Sequence, residues 1–141
     1  MGIAYFDTSA LVKLVVDEDG SDLAAQLWDG ADAVTSSRLA YAEGRAALAG
    51  AARRGRLSAA GFASAKRSWE QFWAGVRPVE ALPAIVRAAG DLAERYALRA
   101  YDAVHLASAL ALDDRSVVVA TWDLRLRAGV RHANLRLAPA P

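Results

Sequence analysis

The sequence predicts an α/β fold in which a mainly parallel sheet of four to five strands lies between two helical layers. Short apolar runs of strand length alternate with longer segments of helical period, and that alternation is the pattern of strands joined by helical crossovers. The run Ser116–Thr121 carries three consecutive valines, a β-branched signature of a buried strand. Of 141 residues, 55% are hydrophobic and 34 are alanine, the residue of best helix propensity. This length fits one domain, read as 1–138 with a frayed tail at 139–141.

The elements follow in order. Ile3–Phe6 is a short apolar run that ends at Asp7, the first strand. Thr8–Val16 reads as helical and stops at the polar run Asp17-Glu-Asp-Gly20. Ser21 is placed as the cap of a helix reaching Trp28, with Leu23, Ala24 and Leu27 on one face. Ala31–Thr35 is a second strand, and a long helix then runs from Arg38 to Arg54. After the break at Gly55–Ser58 comes a helix over Ala59–Ala74. Val76–Val79 is strand-like, but Pro78 confines it to an edge or a strand end. Leu82–Tyr96 and Tyr101–Leu112 are two more helices. A short helix ended by Gly129 and a last edge strand at Leu135–Leu137 complete the set.

Composition excludes several chemistries. Cysteine is absent, which removes disulfides, zinc–thiolate sites and thiol nucleophiles. His105 and His132 are too few for a histidine-rich metal site. Seventeen basic and sixteen acidic groups give a net charge of +1, so bulk charge does not point to nucleic acid. No apolar run approaches the roughly 18–20 residues that span a bilayer. The start, MGIAYFD, lacks the basic leader of a secretory signal. A soluble, cytoplasmic protein is expected.

Four acids carry the functional signal. Asp7 ends the first strand, Asp102 opens a helix and Asp123 follows the valine strand by two residues. The carboxyl ends of parallel strands are where open α/β sheets gather ligands. All three also sit where an Asp caps a helix, which is their plain structural reading. Glu43 shares a helix face with Leu39, Ala42, Ala46, Ala47 and Gly50, so its carboxylate is expected on the packed side, where it needs a partner. A distant arginine could be that partner. Four such acids at one point would repel one another unless a cation intervened, by about 4 kcal/mol per pair at 4 Å and an effective dielectric near 20. Oxygen donors alone favour Mg²⁺ or Mn²⁺.

Two blocks, Phe6-Asp-Thr-Ser-Ala-Leu-Val-Lys13 and Leu98-Arg-Ala-Tyr-Asp-Ala-Val-His-Leu-Ala-Ser-Ala-Leu110, resemble PIN-domain ribonucleases, above all the VapC toxins of type II toxin–antitoxin pairs. Glu43 and Thr121-Trp-Asp123 fall where that family has its remaining acids. The resemblance spans nearly the whole chain and implies a three-layer α/β/α PIN-like domain. It implies a metal-dependent endoribonuclease, with Asp7, Glu43, Asp102 and Asp123 holding one or two Mg²⁺ or Mn²⁺ ions. Ser9 and Thr121 would support them. It also implies an RNA substrate, a homodimer and a small VapB-like antitoxin as partner.

Other features carry less. His105, three residues after Asp102, is expected to be packed and hydrogen-bonded rather than a ligand. Arg53, Arg54 and Arg56 cluster at a helix end, where cations suit the dipole; they are also candidate RNA contacts. Trp69 and Trp73, four apart, read as core or interface, with base stacking as the alternative. Among rival functions, a haloacid-dehalogenase-like enzyme wants an acid where Ser9 stands, and a receiver domain wants a late lysine, whereas the last one is Lys66. A catalytically silent PIN-like module that only binds a protein partner is the other class; loss of an acid would have favoured it, and none is lost.

Overall fold

The computed structural model describes residues 2–141. Five strands, β1 (Ile3–Phe6), β2 (Ala33–Ser37), β3 (Val76–Val79), β4 (Val118–Ala120) and β5 (Arg136–Ala138), form one sheet in the order β3-β2-β1-β4-β5. Every pairing is parallel. Seven helices connect them: α1 (Thr8–Val12), α2 (Ser21–Gly30), α3 (Ala40–Arg53), α4 (Ala59–Ala74), α5 (Pro83–Tyr96), α6 (Ala100–Leu110) and α7 (Leu124–His132). The result is a three-layer α/β/α fold.

Alternation along β1 separates two cores, because successive strand side chains point to opposite faces. Ala4 and Phe6 join one cluster with Leu11, Leu48 and Trp69, covered by α1 to α4. Tyr5 joins the other with Leu98, Leu106, Val119 and Leu126, covered by α5 to α7. The first face is aromatic and depends on a missing side chain. A Cβ on Gly44 would stand 2.0 Å from the Trp69 ring, so glycine is what lets that indole lie on the α3 backbone. Trp69 is therefore core, and Trp73 stacks on it with ring centroids 6.2 Å apart.

Several boundaries differ from the expectation. The first helix stops at Val12 and continues only as turns. Ser21 is the first residue of α2 rather than its cap; Gly20, left-handed at φ +92°, takes the cap position, while the Ser21 hydroxyl ties back to Val16 and Glu18. The second strand lies two residues later, because Ser36 and Ser37 are buried strand residues and not loop. Gly129 does not end α7. It sits inside the helix, where a Cβ would press on Leu98 at 3.1 Å. Pro78 lies on edge strand β3, where its lack of an N–H is tolerated. The Pro139 carbonyl accepts from Arg127, so ordered contacts extend into the expected tail. No helix among the described residues is long and apolar enough to cross a membrane.

Candidate functional site

The strand order reverses beside β1, between β1 and β4, and such a switch point opens a crevice at the carboxyl edge of a parallel sheet. Asp7 leaves β1 at that edge. It caps α1, its Oδ1 accepting from the Ala10 amide at 2.9 Å and the Ser9 hydroxyl at 2.6 Å. Its Oδ2 accepts from the Thr121 hydroxyl at 2.6 Å. Thr121 leaves β4, the strand next to β1, and its carbonyl is held by the buried Arg127 at 2.9 Å. Burial pushes the Asp7 pKa up, against the opposing pull of His105 and the three hydrogen bonds.

Asp123 follows two residues later and caps α7. Its Oδ1 accepts from the Arg125 and Leu126 amides, and its own amide donates to Thr121 Oγ1 at 3.1 Å. Asp7 and Asp123 are thus both helix caps, and both follow the carboxyl end of a strand of the central pair. Asp102 is different: it lies in the first turn of α6, whose N-cap residue is Arg99. Arg99 donates from Nε to Asp102 Oδ2 at 3.0 Å and from Nη2 to Asp123 Oδ2 at 2.8 Å. Asp102 first, then Asp123, drives the Arg99 pKa further up.

Glu43 enters from the start of α3. Its Oε1 accepts from Thr8 Oγ1 at 3.1 Å and lies 3.0 Å from His105 Nε2. A carboxylate only accepts, so that ring nitrogen carries the proton. His105 Nδ1 meets the Tyr5 hydroxyl at 2.8 Å, beneath the site. Burial keeps the Tyr5 phenol protonated by pushing its pKa well up. His105 is buried, as its sequence context suggested, and it supplies the partner that Glu43 needs. Neither nearby arginine does so: Arg38 pairs with Glu80, and Arg45 with Glu70.

Hydrogen bonds, completed by two short steps along the chain, link the four acids in a ring. Glu43 joins Thr8, next to Asp7; Asp7 joins Thr121 and through it Asp123; Arg99 joins Asp123 to Asp102. Asp102 and His105 are three apart on α6, which brings the ring back to Glu43. Each acid is held by protein donors. As the side chains stand, no group of three or more His, Asp or Glu among the described residues is gathered around one point for an ion. The donor chemistry still fits a hard divalent cation. All four ligand candidates offer carboxylate oxygen, and Asp7 is a buried anion whose raised pKa a nearby cation would relieve.

Glu43 reaches the ring for a reason other than the expected one. Leu39, Ala42, Ala46 and Ala47, its supposed packed neighbours, are exposed. The buried stripe of α3 is Ala40, Gly44, Leu48 and Gly50, and Glu43 lies at its margin, half-buried. Arg53, Arg54 and Arg56 are exposed, beginning ten residues and so about 15 Å along the helix from Glu43. Arg99, Thr8 and Tyr5 were not singled out by sequence. Arg99 stands three residues before Asp102, a spacing that brings helix neighbours together, so its pairing was legible; Thr8 lay in the first quoted block without a role, and nothing marked Tyr5.

Comparisons with known proteins show the family and the fold. The PIN domain family matches residues 4–129. Ribonuclease VapC45 and ribonuclease VapC49 of Mycobacterium tuberculosis are each 56% identical over 140 residues, covering 99% of this chain and 97% of the relative. Among solved structures, PAE2754 from Pyrobaculum aerophilum superposes with a TM-score of 0.67 at 25% identity, over 92% of this chain and 87% of that one. The chain belongs to the PIN-domain family. Within that family it is VapC-like over nearly its full length.

Proposed function

We propose that this protein is a Mg²⁺- or Mn²⁺-dependent endoribonuclease, the toxin of a toxin–antitoxin pair. The observation that carries the reading is the ring of Asp7, Glu43, Asp102 and Asp123 at the sheet's switch point, in a chain 56% identical to proteins named ribonucleases. These four carboxylates would hold the ion, while Ser9 and Thr121 fix both oxygens of Asp7. A bound divalent ion supplies Lewis-acid polarisation of a phosphate oxygen and an acidified water.

The rest of the chemistry belongs to the chain's own groups. His105 Nε2 orients Glu43, and the α7 amides fix Asp123 Oδ1, so each carboxylate has a defined face to offer. Arg53, Arg54 and Arg56 would track the RNA backbone away from the scissile bond. By kinship with toxin–antitoxin assemblies of the same fold, such as the complex from Klebsiella pneumoniae with TM-score 0.66, a VapB-like antitoxin is the partner. Homodimerisation and a cytoplasmic location belong to the same reading.

His105 and His132 lie on different helices, and His132 stacks on Tyr96 instead of facing His105. No histidine acid–base pair is therefore at hand to recruit the ribose 2′-hydroxyl. Products should end in 5′-phosphate and 3′-hydroxyl. The test is cleavage of RNA by the purified protein with Mn²⁺, with Mg²⁺ and with EDTA, followed by end analysis. Cyclic phosphate termini formed in EDTA would overturn the reading.

A further inference from the structure

Among the described residues, Arg99 is the one cation that directly bridges two of the four acids. It reaches them from different elements: Asp102 lies within α6, and Asp123 caps α7. The planar guanidinium fork suits that bridging role, which a point charge such as an ammonium would fill less well. Its side chain is 53% exposed, so the head group is held by its ion pairs on a long tether and not by packing. The oxygen it takes from Asp123 matters. Asp123 Oδ1 is already engaged by two backbone amides at the start of α7, which leaves Oδ2, the atom Arg99 holds, as the oxygen facing away from the helix.

We infer that Arg99 is a tethered counter-ion that competes with a divalent cation for Asp102 and Asp123, and that it must swing out for the site to load. The inference rests on the metal-dependent reading above. A guanidinium and a divalent ion on the same carboxylate oxygens repel each other, so occupancy by one weakens the other by the same factor. Arg99 thereby keeps two acids partly neutralised and pre-positioned, at the expense of cation affinity.

Two measurements test this on the intact chain. In the parent protein, the Arg99 Nε–H resonance should be shifted and slow to exchange in EDTA, and should move to the position of solvent-exposed arginines as Mg²⁺ is added. By calorimetry, R99Q should bind Mn²⁺ about tenfold more tightly than the parent, equivalent to 1.4 kcal/mol. R125Q removes the same formal charge from an exposed arginine two residues after Asp123 and controls for bulk electrostatics. It should change the affinity less than about threefold, a fraction of that interval. Binding by R99Q where the parent binds nothing would be the strongest form of the effect. If R99Q and R125Q gain equally, or if the Nε–H resonance stays put at saturating Mg²⁺, the competition is refuted while metal binding stands. If neither the parent nor R99Q binds Mn²⁺, the metal reading itself fails.

Discussion

The two halves of the acid ring are held by different chemistry. Asp7 and Glu43 are fixed by hydroxyls, a backbone amide and a buried histidine, through side chains that are themselves packed. Asp102 and Asp123 share one exposed arginine. The first half is an anionic floor held by packed donors; the second, beyond the two backbone amides on Asp123 Oδ1, is closed by an exposed charge. Permanent donors suit acids that must keep their place, and a tethered cation suits acids that must be given up to something else.

The largest effect should come from removing a carboxylate in either half. D7N and D102N should each lower RNA cleavage by about 10²–10⁴-fold, since a metal's transition-state contribution is several kcal/mol and each 1.36 kcal/mol is tenfold. Equal losses from both halves would mean that both serve one centre. Full activity in either variant would split the ring into a site and a structural remainder. Next comes the donor beneath Glu43. H105A should cost about 10–100-fold in Mn²⁺ affinity, the usual effect of losing a ligand's outer partner, and H105Q, which keeps an N–H, should recover part of it. If H105A binds Mn²⁺ as the parent does, the floor is not held from below.

A smaller effect separates the halves by pH. The Asp7 pKa is raised in the folded chain, chiefly by burial, so its ionised form opposes folding. That cost is full above the raised value and vanishes below the ordinary carboxylate range. In EDTA, D7N should therefore melt above the parent at neutral pH, by about 2–4 °C per kcal/mol relieved, and the gap should close on acidification. D102N loses an arginine partner and should show no such gain. The least effect is expected from R53Q, R54Q and R56Q, which leave both halves intact. Each should reduce the salt slope of RNA binding by about 0.7 if that arginine meets a phosphate, and by nothing if it only serves the helix end.

Much of this was legible in the sequence, for reasons that differ by element. The bounds of β1, α4 and β3 read directly, because apolar runs and the break at Gly55–Ser58 act locally; Ser58 proves to cap α4 through the Gly61 amide. The second strand was misplaced because Ser36 and Ser37 look like loop, yet both are wholly buried at the sheet's carboxyl end. Hydrophobicity cannot place polar residues that are buried by the site. Asp7, Asp102 and Asp123 were recognisable from their strand-end and helix-start positions. Glu43 was chosen on a helix face that proved to be exposed, because in an alanine-rich helix nearly every face looks apolar. Its real neighbour, His105, lies 62 positions away, and no local pattern encodes that contact.

The strand order has a consequence for how the protein is made. β4, which delivers Thr121 and Asp123, inserts beside β1, the earliest in chain order of the five described strands. At about 5–20 residues per second, the 116 positions between Asp7 and Asp123 take roughly 6–23 s to translate. Until then a nascent chain has β3, β2 and β1 but lacks β4, the neighbour of β1 on its other side. A chain cut short anywhere before residue 123 carries at most three of the four acids, so the ring can be complete only once Asp123 has been made.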